Sequence, residues 1–202
     1  MSQHHFFAVV SRMKYIERWA LMRSTRSENL SEHSLEVAMI AHVLCVIGNL
    51  RYGKHLSAED AAVIALYHDS SEIITGDMPT PVKYFSQRLH DAYKQVESGA
   101  EERLLQQLPD DLQEYYRPYI DSTSSLHEQL YAYVKAADKL SALIKCIEEE
   151  SAGNTEFKTA YATTLHSLQE MEKTMPEVHD FMQEFLPSYG KTLDELLDNG
   201  GE

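Results

Sequence analysis

Apolar residues recur at helical spacing along nearly the whole chain, and no stretch alternates like a half-buried strand. No internal period points to stacked repeats. The fold class is therefore all-α, a helical bundle, and 202 residues suffice for one domain with a substantial core. That core is expected over about residues 6–186, with a polar tail at about 190–202. A first helix is expected over 6–17, then a polar, arginine-rich connection to Leu30. Ser31 is placed to cap a second helix reaching about residue 49. Its side chains are apolar nearly all round, as suits a central buried helix. Ser57 caps a third helix, with Glu59 and Asp60 where the helix dipole favours them. That helix is expected to run on past His68 and stop at Gly76. Pro79 and Pro81 hold the following segment as loop. A polar helix over 82–108 and a shorter one after Pro109 come next. Ser125-Leu126-His127-Glu128 has capping-box spacing. The stripe Leu126, Leu130, Tyr133, Ala137, Leu140, Ile144 and Ile147 then marks a helix ending near Gly153. Helices over 155–175 and from Pro176 to the break at Pro187 complete the bundle.

Charge narrows the partners. Eighteen basic against 32 acidic residues give a net charge of −14. Duplex nucleic acid and anionic membranes, both bound through excess Lys and Arg, are poor partners for such a surface. A phosphate-bearing ligand must be small and met by locally placed cations. Cys45 and Cys146 lie in apolar helical stretches without metal-type spacing, consistent with free thiols in a reducing cytoplasm. No apolar run is expected to approach the roughly 20 residues that span a bilayer, and the N-terminus lacks a signal-peptide pattern.

The chemistry-bearing residues lie at helix ends. His68 and Asp69 stand side by side after an apolar stretch, a poor way to fill a core and a good way to hold a divalent metal. His33 in Ser31-Glu32-His33-Ser34 and Asp138 in Ala136-Ala137-Asp138-Lys139-Leu140 can complete the set. Two imidazoles and two carboxylates form a mononuclear donor set for a first-row ion such as Co²⁺ or Mn²⁺. Taken singly, each residue has a bland alternative: His33 as a capped core histidine, His68-Asp69 as a satisfied pair. Asp138 resists one most, because an unpaired carboxylate among Ala137, Leu140 and Ile144 would be costly to bury. On a continuous helix, Glu72 falls one turn beyond His68 and Asp69 on the same face. Asp77 follows where the helix must have stopped. Arg18 is the best cation for a phosphate, since its planar fork binds one bidentately. Arg23 and Arg26 can add attraction without direct contact.

The order His33…His68-Asp69…Asp138 resembles the metal signature of the HD-domain phosphohydrolases. Further segments narrow the likeness to the bacterial 5′-deoxynucleotidases of that superfamily: Glu17-Arg18-Trp19, Asn29-Leu30-Ser31-Glu32-His33-Ser34, Tyr67 to Glu72, Gly76 to Tyr84, and Lys135 to Asp138. The resemblance implies one divalent metal on His33, His68, Asp69 and Asp138. It also implies hydrolysis of deoxyribonucleoside 5′-monophosphates by a homodimer. It places Arg18 and Trp19 against the nucleotide, phosphate and sugar respectively. Glu72 and Asp77 are the proton-transfer candidates, with Arg18 supporting catalysis. Asp77, Met78, Pro79 and Thr80 form a nucleotide-binding loop. Two other readings stay open: an HD hydrolase of a different nucleotide phosphoester, and a regulatory metal- or nucleotide-binding module without turnover. Serine hydrolase and P-loop chemistry are excluded by the lack of Gly-x-Ser-x-Gly and of a Gly-rich phosphate loop.

Overall fold

A computed structural model describes residues 3–79, 82 and 85–198; Thr80, Pro81, Lys83 and Tyr84 of the expected nucleotide loop lie outside them. Among the described residues the only regular elements are helices, apart from one isolated antiparallel bridge between Glu17 and Asn29.

The first helix is shorter than its apolar pattern suggests. Helix α1 covers Phe6–Val10 and tightens into a 3₁₀ turn at Ser11–Tyr15. Ile16 then turns extended, its carbonyl accepting from Leu30 N–H (2.9 Å), while Arg18 N–H donates to the Glu28 carbonyl (2.9 Å). Pairing with a segment folded back from residue 28 thus takes the backbone groups a longer helix would have used.

Helix α2 (Leu30–Tyr52) is the centre of the bundle. Its N-cap is Asn29 rather than Ser31: the Asn29 side chain accepts from Ser31 N–H and Glu32 N–H, and Glu32 reaches back to Asn29 N–H. Gly53, at φ 63°, ends it in the left-handed conformation that a side chain would disfavour. By length and composition alone α2 could cross a membrane, contrary to the sequence expectation. Here Val37, Ala41 and Leu44 are buried against the rest of the core, although Leu35 and Met39 remain 55% and 59% exposed.

Helix α3 (Ala58–Tyr67) is capped by Ser57, whose hydroxyl accepts from Asp60 N–H. The expected continuous helix to Gly76 is broken. Residues 68–71 form a turn, with Ser70 N–H bonded to the Tyr67 carbonyl (2.9 Å), before the short α4 (Glu72–Thr75). No Gly or Pro marks this break; the i→i+3 bond tightens the chain instead. Helix α5 (Gln87–Leu105) starts later than expected because Ser86 caps it. Helix α6 (Asp110–Ile120) follows Pro109. Leu104, Leu105, Leu108 and Ile120 gather with Phe6 in a satellite cluster.

The long helix α7 (Ser125–Ser151) is capped by Ser124, one residue before the expected Ser125. Leu130, Tyr133, Ala137, Leu140 and Ile144 from its stripe all reach the main core. A 3₁₀ turn at Thr155–Phe157 leads to α8 (Lys158–Glu172), α9 (Pro176–Glu184), a 3₁₀ turn at Leu186–Ser188 and α10 (Leu193–Leu197). The core therefore forms where α2 meets α3, α7 and α9. Both cysteines are free and buried, and burial pushes each thiol up to about 12, which leaves them unreactive.

Candidate active site

Three of the core helices each present a ligand-type side chain to one spot. His33 comes from the start of α2, His68 from the C-terminal end of α3, and Asp138 from the middle of α7. One donor atom from each lies within 4.8 Å of the other two. Asp69 is adjacent: its Oδ2 is 3.2 Å from His68 Nε2 and 3.7 Å from His33 Nε2. His33 Nε2 lies 3.3 Å from Asp138 Oδ1. The expected burial of Asp138 needs correction, because 30% of its side-chain surface remains exposed. It faces an opening toward solvent, which a site that admits substrate requires.

Both imidazoles are oriented for metal binding. His68 Nδ1–H donates to the Ala65 carbonyl (2.7 Å), leaving Nε2 with its lone pair. His33 Nδ1–H meets Ser141 Oγ (3.0 Å), and that hydroxyl donates to Glu36 Oε2 (2.6 Å). Both Nε2 atoms are buried without a hydrogen-bond partner. Two fixed imidazole Nε2 atoms that make no well-formed hydrogen bond, each facing a carboxylate, suit a divalent first-row cation. Electrostatics agree. Burial, and then Arg18, lower the pKa of His33, so it stays the neutral ligand form. At His68 burial opposes charge, but Asp69, Asp138 and the Ala65 carbonyl outweigh it and raise the pKa to about 9, so a bound cation would take the place of the Nε2 proton. Burial works against ionised Asp69 and Asp138, yet the facing imidazoles hold both below the usual carboxylate range. Positive charge is what this cluster favours.

Ser141 and Glu36 were not singled out from the sequence. The signal was present: Glu36 lies three residues after His33 and Ser141 three after Asp138, so helical spacing puts each on its partner's face. Groups that orient metal-bound imidazoles typically contribute about 10- to 100-fold in metal affinity. Ser141→Ala should weaken divalent-metal binding by about that factor in a chelator competition. Unchanged affinity would mean that packing alone orients His33.

Arg18 is not a solvated surface arginine. Its side chain is 13% exposed, with Nη1 3.8 Å from Asp69 Oδ2 and Nε 3.6 Å from Glu28 Oε2. Burial opposes its charge, but Asp138, Glu28, Asp69 and Asp77 outweigh that and raise its pKa. A guanidinium therefore stands beside the cluster of donor side chains. Trp19 follows it, half-buried, its ring 5.3 Å from that of Phe157. Arg23 and Arg26 point elsewhere, pairing with Glu156 (2.9 Å) and Glu32 (3.4 Å).

Glu72 is buried at the first position of α4, and its N–H donates to the Asp69 carbonyl (3.0 Å). Its closeness to the HD pair comes from the turn at 68–71 and not from the face of a continuous helix. Asp77 is exposed after Gly76, with Met78 and Pro79 half-buried behind it. Thr80 lies outside the described residues.

This bundle, with His33, His68-Asp69 and Asp138 on its core helices, is that of an HD-domain phosphohydrolase. Such an enzyme from Listeria innocua superposes with a TM-score of 0.76 at 25% identity, over 92% of this chain and 88% of that one. A cyanophage S-2L HD phosphohydrolase, described as bound to dA and one catalytic Zn²⁺, shares the fold with a TM-score of 0.61 at 22% identity, over 92% and 96%. The family model described as 5′-deoxynucleotidase YfbR-like matches residues 5–189, and the chain belongs to that family. It is 48% identical over 196 residues to a 5′-deoxynucleotidase of Vibrio vulnificus, covering 97% of this chain and all of that one. Identity to the 5′-deoxynucleotidase YfbR of Salmonella typhi is also 48%, over 97% of each.

Proposed function

We infer that this protein is a 5′-deoxynucleotidase, a metal-dependent phosphomonoester hydrolase that releases phosphate from deoxyribonucleoside 5′-monophosphates. The observation that carries this reading is the half-buried Arg18 guanidinium set against Asp69, beside the His33, His68 and Asp138 donors. A cation for phosphate and a cradle for a divalent ion thus share one opening. The 48% identity to curated 5′-deoxynucleotidases over nearly the full chain supports the same substrate class.

His33, His68 and Asp138, with Asp69 as the fourth donor, would hold one divalent ion. Such an ion supplies Lewis acidity, for acidifying water near neutral pH and for polarising a phosphoryl oxygen. The protein's own groups do the rest. Arg18 binds and orients the phosphate through charge-assisted hydrogen bonds. Glu72, sheltered at the start of α4, and Asp77, at the rim, are the proton-transfer groups: one orients the attacking water, the other assists the leaving 5′-oxygen. Trp19 walls the sugar, so a ribose 2′-hydroxyl meets an apolar face and loses a partner. Met78, Pro79 and Thr80 contact the nucleotide. The enzyme works in the cytoplasm as one domain. It pairs as a homodimer, for which the exposed Leu35 and Met39 on α2 offer apolar area. Light scattering should then give twice the chain mass; 23.1 kDa at micromolar concentration would contradict the pairing.

The test of function is phosphate release from a panel of nucleotides by metal-stripped protein, with Co²⁺, Mn²⁺, Mg²⁺ and Zn²⁺ restored separately. Deoxy-monophosphates should be hydrolysed and ribo-monophosphates poorly, by roughly five- to 150-fold in kcat/KM, the equivalent of about 1–3 kcal/mol for an unpaired hydroxyl. Arg18→Ala should lower kcat/KM about 10- to 150-fold on both sugars alike, as expected for a lost hydrogen bond to a charged group. Trp19→Ala should narrow the gap between sugars. Release only from cyclic or polyphosphorylated nucleotides, or from none, would reject the reading.

A further inference from the structure

Trp19 is the only non-glycine residue at positive φ (58°) among the described residues. An aromatic side chain in the left-handed region is strained, and it persists only where its surroundings over-determine it. The surroundings here converge on Glu28. Glu28 Oε2 accepts from the indole Nε1–H (2.8 Å), and the same oxygen lies 3.6 Å from Arg18 Nε. Its backbone carbonyl accepts from Arg18 N–H (2.9 Å), so Glu28 holds this pair through main chain and side chain together. The carboxylate is 14% exposed, and its Oε1 is 3.8 Å from His33 Nδ1. One oxygen thus bonds the indole and lies in ion-pair range of the guanidinium, the two side chains assigned above to opposite ends of the substrate.

We propose that Glu28 is the positioning residue that sets sugar preference, by locking the Trp19 indole and the Arg18 guanidinium into a single arrangement. This rests on the reading that Arg18 meets the phosphate and Trp19 the sugar. Glu28 touches neither substrate nor metal donor at bonding distance, so its effect passes through the pair it holds. Its two contacts are chemically separable. Indole N–H needs only an acceptor oxygen, which an amide supplies. The guanidinium needs the charge, which an amide lacks.

Glu28→Gln and Glu28→Ala make the test. Glu28→Gln should keep the deoxy-to-ribo ratio of kcat/KM while lowering kcat/KM on both sugars. Glu28→Ala should in addition cut that ratio by about fivefold or more, toward that of Trp19→Ala. Trp19 is the chain's only tryptophan, so emission and acrylamide quenching report its placement without turnover. Glu28→Ala should red-shift the emission and raise quenching, and Glu28→Gln should match the parent. Should Glu28→Ala fail to fold, Glu28→Leu removes the acceptor while filling its space. Parental emission together with a parental sugar ratio in the alanine or leucine variant would overturn the proposal, whatever the loss in Tm. If the parent shows no sugar preference, the sugar-wall reading fails by itself, and the emission arm still decides whether Glu28 places the indole.

Discussion

Replacing His68 or Asp138 by alanine is expected to bring phosphate release to background and to abolish metal retention, with helix content nearly intact. The expectation follows from what each residue touches. His68 and Asp138 would supply donor atoms to a bound ion, whereas their helices are held by apolar neighbours such as Ile64, Leu44, Ala137 and Leu140, all fully buried. Alanine is also the best helix former, so α7 loses nothing locally at position 138. A lost first donor must cost more than the roughly 10- to 100-fold typical of groups that merely orient a ligand. The metal should also stop stabilising the fold. A ligand at a hundred times its Kd adds about 2.7 kcal/mol, so the parent's Tm should rise on metal addition and the variants' should not. Elemental analysis showing full metal stoichiometry in both variants would sink the ligand assignment.

Glu149→Ala is expected to destabilise the protein by about 3–5 kcal/mol, the range for leaving one partner of a buried ion pair uncompensated. Glu149 is 1% exposed on α7 and accepts from Lys145 Nζ (2.5 Å), Thr25 N–H and Oγ1 (2.8 Å each) and Asn154 Nδ2 (2.8 Å). Lys145 Nζ in turn donates to the Arg26 carbonyl (2.6 Å). Removing the carboxylate strips the Thr25 donors of their acceptor, leaves Lys145 Nζ only the Arg26 carbonyl and Asn154 Nδ2 only the Arg23 carbonyl, and loosens the segment that carries Arg18 and Trp19. Burial by itself would raise the pKa of Glu149, but the donors from Lys145, Asn154 and Thr25 outweigh it and lower it from 4.5 to about 2. The folded pKa is depressed, so the stabilisation is present above about pH 4.5 and fades as pH falls toward 2. Urea titrations of parent and variant should therefore diverge at pH 7 and converge on acidification. A difference below about 1 kcal/mol at pH 7 would make the network no more than surface decoration.

What the sequence disclosed was whatever depends on near neighbours. The caps at Ser57 and the stripe from Leu130 to Ile144 follow from local spacing, and so does the stop near Gly153. His33, His68 and Asp138 each had a bland alternative when taken singly; what drew them together was their order along the chain, with Asp138 the hardest to explain as core. Arg18 gave no local sign of burial, because Glu28 and Asp69 enclose it only after the chain has doubled back. The break at 68–71 was invisible for a related reason: serines carry no breaker signal, and the apolar pattern continues through Ile73 and Ile74. Glu149 reaches Thr25 across most of the chain, a pairing that no window of sequence contains.

The supports of the site fall into two sets that meet on α7, which carries Asp138 as well as Lys145 and Glu149. The metal donors stand on helices whose mutual packing is the core, so altering them endangers the chemistry and leaves little room for drift. The Arg18–Trp19 segment is irregular backbone, fastened by Glu28 on its own returning arm and by Lys145 and Glu149 of α7. On the roles proposed above, reaction and substrate choice are thus inherited through different parts of the chain. A lineage could reshape that fastened segment, and with it the sugar or base accepted, while the hydrolytic centre passes on unaltered.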